Sequence, residues 1–89
     1  MKIKYTSQFK KDYKKVQKQN NDIEKLISLI EKLLSKEKLD PQFRDHPLSG
    51  EWKKYRECHI GPDLLLIYKI DSQYLILART GSHSELFKM

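Results

Sequence analysis

The run Leu64-Leu65-Leu66-Ile67-Tyr68-Lys69-Ile70 is apolar at almost every position. Neighbouring residues of a strand point to opposite faces, so a strand made from it is apolar on both sides. That suits a central strand with cover above and below it. In a chain of 89 residues the flanking strands and the cover must come from what little sequence remains. A domain of this size buries roughly 60–65% of its unfolded surface, so its core is modest.

The neighbours are close at hand. Trp52 to Ile60 reads as a strand with Tyr55, Glu57 and His59 on one face and Lys54, Arg56 and Cys58 on the other. Gly61-Pro62-Asp63 and Asp71-Ser72-Gln73 have turn chemistry, and Tyr74 to Thr80 forms the next strand. These three strands make an antiparallel meander.

Upstream, Lys2-Ile3-Lys4-Tyr5 alternates like a short half-buried strand, and Thr6 or Ser7 can cap the helix that follows. Phe9, Tyr13 and Val16 give that helix an apolar stripe, with Lys10, Lys11, Lys14, Lys15 and Lys18 on the opposite arc. Asn20-Asn21 breaks the pattern, and Asn21 with Glu24 resembles a capping box. Ile23, Leu26, Ile27, Ile30, Leu33 and Leu34 then predict a second amphipathic helix up to about Ser35.

Lys36 to Glu51 contains Pro41, Pro47 and Gly50 without periodicity and reads as a loop. Ser82-x-x-Glu85 can start a last helical turn carrying Leu86 and Phe87. The expected fold is α+β, one domain over residues 1–89 in the order β-α-α-β-β-β. A two-helix hairpin packs on a small, mainly antiparallel sheet, and a short C-terminal helical turn follows.

Charge is distributed unevenly. Residues 1–18 hold seven lysines against Asp12, which accounts for the whole net charge of +6. The other eleven Lys/Arg balance eleven Asp/Glu. A local cationic face of this kind points to nucleic acid or an acidic partner. A single cysteine allows no internal disulfide, and no paired Cys spacing suggests zinc. No apolar run approaches the roughly 18–20 residues that span a bilayer, and the Lys-rich N-terminus has no apolar signal segment. The expected location is cytoplasmic, with no membrane partner.

The three histidines all lie in the second half: His46 in the predicted loop, His59 at a strand end, His83 just past the third strand. Imidazole gives or takes a proton near neutrality. In an antiparallel meander the end of one strand and the start of the next share an edge, which also receives the end of the third. Topology therefore gathers His59, Asp63 and His83 at one rim, within reach of the loop that carries His46. Acid–base chemistry on a polyanion is the activity such a set suggests.

Three blocks are specific beyond pattern: Asp45-His46-Pro47-Leu48-Ser49-Gly50-Glu51-Trp52-Lys53, Tyr55 through Tyr68, and Arg79-Thr80-Gly81-Ser82-His83-Ser84-Glu85-Leu86-Phe87. With them the chain resembles the YafQ branch of the RelE/ParE toxin superfamily over essentially its whole length. The resemblance implies a RelE-like fold and a ribosome-dependent mRNA endonuclease, the toxin of a type II toxin–antitoxin pair, that cuts mRNA in the ribosomal A site. It further implies catalytic positions at His46, His59, Asp63 and His83, a base-contacting aromatic at Phe87, and a DinJ-like antitoxin. Operator DNA would be met only through the toxin–antitoxin complex.

Such a site can support metal-free attack of a ribose 2′-OH, without any cofactor. His83 would be the acid, His46 or His59 the base, and Asp63 the carboxylate beside an imidazole. Arg56, Arg79, Lys10, Lys11, Lys14 and Lys15 are candidate RNA contacts. Two alternatives are a metal-dependent hydrolase on the His/Asp set, which lacks close His-x-x-x-His spacing, and a ParE-like inhibitor of gyrase, which leaves the histidines unused.

Overall fold

The computed structural model describes residues 1–19 and 22–87. Chain order gives β1 (Lys2–Tyr5), α1 (Ser7–Gln19), α2 (Ile23–Leu34), β2 (His46–Pro47), β3 (Arg56–Gly61), β4 (Leu64–Asp71), β5 (Tyr74–Gly81) and α3 (His83–Phe87). The five strands form one sheet in the order β1-β5-β4-β3-β2, with β4 in the centre. β1 runs parallel to β5, and the other pairs are antiparallel.

The strand that is apolar on both sides is buried on both. On one face Leu64, Leu66 and Tyr68 join Cys58, Leu75 and Leu77 beneath Phe9 and Val16 of α1 and Leu26, Leu29 and Leu33 of α2. On the other face Leu65 and Ile67 join Ala78 beneath Leu86 of α3, with Leu48, Trp52, Tyr55 and Phe87 packed around them. Two helices cover the first face. The loop between β2 and β3, together with α3, covers the second.

Local chemistry sets the elements. Thr6 Oγ1 accepts the amide N–H of Phe9 (2.9 Å), capping α1, and donates to the carbonyl of Ala78 (2.7 Å). Ser82 and Glu85 form the expected capping box of α3. Ser82 N–H donates to Glu85 Oε1 (3.1 Å) and Glu85 N–H to Ser82 Oγ (3.2 Å). Gly81 enters this turn at φ +148°, a conformation that side chains rarely adopt. The capping box expected at Asn21 lies outside the described residues.

β1 pairs with β5 only as far as Leu77, so the edge of β5 beyond that point faces α1. Asp12 of α1 covers it. Its carboxylate accepts Thr80 N–H (3.2 Å), Arg79 Nε (2.9 Å) and Nη2 (3.1 Å), and Gln8 Nε2 (3.1 Å). Every lone pair of this buried charge that matters is thus occupied, the condition on which a buried carboxylate is tolerated.

Three expectations change. The region 36–51 is not all loop: His46–Pro47 pairs with β3, and 3-10 turns form at Pro41–Phe43 and Gly50–Trp52. The strand expected from Trp52 starts only at Arg56, because Trp52 closes a turn in which Tyr55 N–H reaches its carbonyl (2.8 Å). On α2 the buried stripe is Leu26, Leu29 and Leu33, while Ile27 is 40% exposed, since it sits at the margin of the face turned to the sheet.

Candidate active site

The site lies on the thinly covered face, and strand alternation decides which residues reach it. Glu57 and His59 of β3 sit opposite Ile67 and Leu65 and share their face. His46 of β2 sits opposite Glu57, which brings its imidazole beside that carboxylate. The turn at Gly81-Ser82 folds α3 back over the sheet and delivers His83.

The imidazoles form a row. Ring centroids are 6.0 Å apart for His46 and His59 and 6.3 Å for His59 and His83. Phe87, one helical turn beyond His83, extends the row with its ring 5.3 Å away. Glu57 lies under one end, 3% exposed. Its Oε1 is 3.1 Å from His59 Nε2 and 3.5 Å from His46 Nε2. Partial burial lowers the pKa of His59 below its ordinary value; Glu57 opposes the shift, and Arg44, His46 and His83 add to it. His59 is therefore mainly neutral at pH 7 and free to accept a proton.

Four of the sequence-predicted residues, His46, His59, His83 and Phe87, come together. Asp63 does not join the imidazoles. It is exposed in the β3–β4 turn and lines a shallow cleft with Leu64, Gly81, Ser82 and Glu85. The carboxylate against the histidines is Glu57, which the sequence reading placed on the same face as His59 but gave no role.

The arginines are engaged with carboxylates. Arg56 lies on the helix-covered face, its Nε 3.2 Å from Asp45, so strand alternation carries it away from the histidines. Arg79 is held by Asp12. Of the lysines, Lys10, Lys11 and Lys14 are exposed along α1, whereas Lys15 pairs with Glu85 of α3. That lysine, with the Ser82 hydrogen bonds, holds the Glu85 carboxyl at about 2.

His46, Glu57 and His59 also present ligand atoms all within 4.8 Å of one another. Two imidazoles and a carboxylate are a donor set suited to a divalent transition metal.

Residues 1–88 match the family of bacterial toxins of type II toxin–antitoxin systems, YafQ. The mRNA interferase toxin YafQ of Escherichia coli K12 is 43% identical over 86 residues, 96% of this chain and 94% of that protein. A copper-bound toxin variant from Helicobacter pylori superposes with a TM-score of 0.92 at 48% identity, covering 98% of this chain and 99% of that one. The toxin of the E. coli DinJ–YafQ complex gives 0.87 at 43% identity, covering 96% of each chain. The chain belongs to the YafQ family of type II toxins.

Proposed function

We propose that this chain is an mRNA endonuclease that cuts mRNA in the ribosomal A site by attack of a ribose 2′-OH on the adjacent phosphodiester. The observation that carries the reading is the row His46–His59–His83 with a buried carboxylate under one end. In-line displacement at phosphorus needs a proton acceptor beside the attacking oxygen and a proton donor beside the leaving one. A phosphate set over this row has imidazoles toward both ends.

His59 is the base. With Nε2–H donated to Glu57, Nδ1 is left to accept the 2′-OH proton, and Glu57 stabilises the imidazolium that forms. The 2′-O–P bond forms, the P–O5′ bond breaks, and His83, carrying its proton, protonates the departing 5′-oxygen. The products are a 2′,3′-cyclic phosphate and a 5′-OH. His46 shares Glu57 and sets a second imidazole beside the non-bridging oxygens on which negative charge develops. Phe87 offers a face on which a flanking base stacks. Asp63, on a cleft that Val16 and Gln19 of α1 also line, takes no step in this scheme. An acid–base pair contributes about 10²–10⁴-fold, so orientation of the mRNA by the ribosome has to supply much of the rest.

Lys10, Lys11 and Lys14 supply the cationic face toward ribosomal RNA. The solved DinJ–YafQ complex of a 43% identical relative supports a DinJ-like antitoxin as the neutralising partner. The decisive measurement uses ribosomes programmed with an mRNA carrying 2′-deoxyribose at the scissile nucleotide. Cleavage should disappear; continued cutting at that position would overturn the 2′-OH mechanism.

A second reading is favoured by the His46–Glu57–His59 set alone: it holds a divalent transition metal. A metal there would supply Lewis-acid polarisation of a phosphate oxygen. This reading expects toxin stripped of metal with a chelator, and then freed of the chelator before it meets ribosomes, to lose cleavage and to regain it with an added divalent transition metal. The acid–base reading expects the metal-stripped toxin to cut at its full rate.

A further inference from the structure

We propose that Asp45 is the positioning residue for His46: its carboxylate, pinned on the helix-covered face of the sheet, sets the register that puts the His46 imidazole on the other face. The inference rests on the RNA-cleaving reading for its kinetic arm and on geometry for the rest.

A single oxygen of Asp45 collects three donors from two strands. Oδ1 accepts Tyr68 Oη–H at 2.8 Å, Arg56 Nε at 3.2 Å and the Cys58 thiol at 3.6 Å. Tyr68 belongs to β4, Arg56 and Cys58 to β3, and Tyr68 and Cys58 lie in the core beneath the helices. Burial pushes the Cys58 thiol up to about 12, so it keeps the proton that it donates. The next residue, His46, faces the opposite way. It meets Glu57, and its ring is 6.0 Å from that of His59.

Downstream of His46, Leu48 N–H donates to the Tyr55 carbonyl (3.0 Å); on the upstream side the anchor is Asp45. β2 is two residues long, its second residue is Pro47, and a proline has no N–H for the ladder. The His46 side chain is 47% exposed, and among the described residues its hydrogen-bonding neighbours are Glu57 and the Pro47 carbonyl at 3.1 Å. Immediately upstream, Arg44 takes a left-handed conformation (φ 45°) at the end of the 3-10 turn. An edge strand this short, entered through a strained residue, has weak register of its own. A slip of one residue would send the imidazole to the wrong face. The Asp45 carboxylate sits at the point where the slip would begin, and its partners are fixed by the core.

Three variants test this: Asp45→Ala, Asp45→Asn, and Tyr68→Phe, which removes the shortest bond and keeps the ring. Asp45→Ala should lower the cleavage rate at saturating ribosomes about 10- to 100-fold with unchanged half-saturation, because a displaced catalytic group costs turnover and not docking. Asp45→Asn keeps an accepting oxygen and should fall between Ala and the native chain, with Tyr68→Phe nearer native. The His46 ¹H–¹³C imidazole cross-peak should move in each variant while that of His83 stays.

A folded Asp45→Ala protein with a native rate and an unmoved His46 cross-peak would overturn the proposal. If Asp45→Ala fails to fold, an unmoved cross-peak in both Asp45→Asn and Tyr68→Phe would overturn it equally. His46→Ala separates the two levels. A native rate in that variant removes His46 from the proposed chemistry, while the cross-peak of the Asp45 variants still decides positioning.

Discussion

The two faces of the sheet are built for different purposes from the same strands. Under the helices, Leu26, Leu29, Leu66, Leu75 and Leu77 are fully buried, and the polar atoms present are tied together, as at Asp45. On the other face a smaller apolar group, Leu65, Ile67, Ala78 and Leu86, supports a rim of titratable side chains that solvent reaches. Because residues alternate along a strand, each residue of the proposed site has a structural neighbour behind it: His59 beside Cys58, Glu57 beside Arg56, His46 beside Asp45. The helix-covered face supplies rigidity, and the other face uses it.

The sharpest way to break this division is to damage one face and measure the other. His83→Ala should lower mRNA cleavage by about 10²–10⁴-fold and leave the urea unfolding midpoint where it was. Loss of stability comparable to a core variant would show that the open face is structural too. Leu29→Ala does the reverse. It should cost about 2–5 kcal/mol in urea unfolding, while the folded fraction keeps its cleavage rate.

Smaller effects sharpen the comparison. The His59 pKa is lowered by folding, so the unfolded chain takes up the proton first as pH falls. Its contribution to stability is therefore full above its ordinary value of about 6.5 and is lost as pH falls from there toward the folded value. Unfolding at pH 7.5 and 5.5 should show this loss in the native chain, and less of it in His59→Gln. The least effect on stability belongs to Lys15→Gln. An exposed pair such as Lys15–Glu85 contributes about 0–1 kcal/mol. Glu85 should then titrate nearer its ordinary value. Cleavage should fall further than in Lys11→Gln, because Glu85 anchors the helix that carries His83 and Phe87.

How much was legible in the sequence follows the same division. Periodicity located α1, α2, β4 and β5, because burial of a long face leaves a long pattern. β2 left none, being two residues between prolines and turns. The rim argument anticipated that His59 and His83 would meet, since meander topology alone brings strand ends together. It gave no role to the carboxylate that touches the imidazoles. Asp63 sits exposed in the β3–β4 turn, whereas Glu57 stands two residues before His59 on the same side. A glutamate on the same expected strand face as His59 was the available signal. Arg56 looked available for phosphate until its partner appeared, and Asp45 is eleven residues away with no periodic relation to it.

The parallel pairing of β1 with β5 has a consequence in time. Lys2 lies opposite Tyr74, and the cap at Thr6 is completed by a carbonyl 72 positions later. During synthesis the first strand therefore emerges without its partner, and closing so long a loop is a late, slow event in folding. His83 and Phe87 emerge later still. A nascent chain therefore holds His46, Glu57 and His59 before the other end of the row exists.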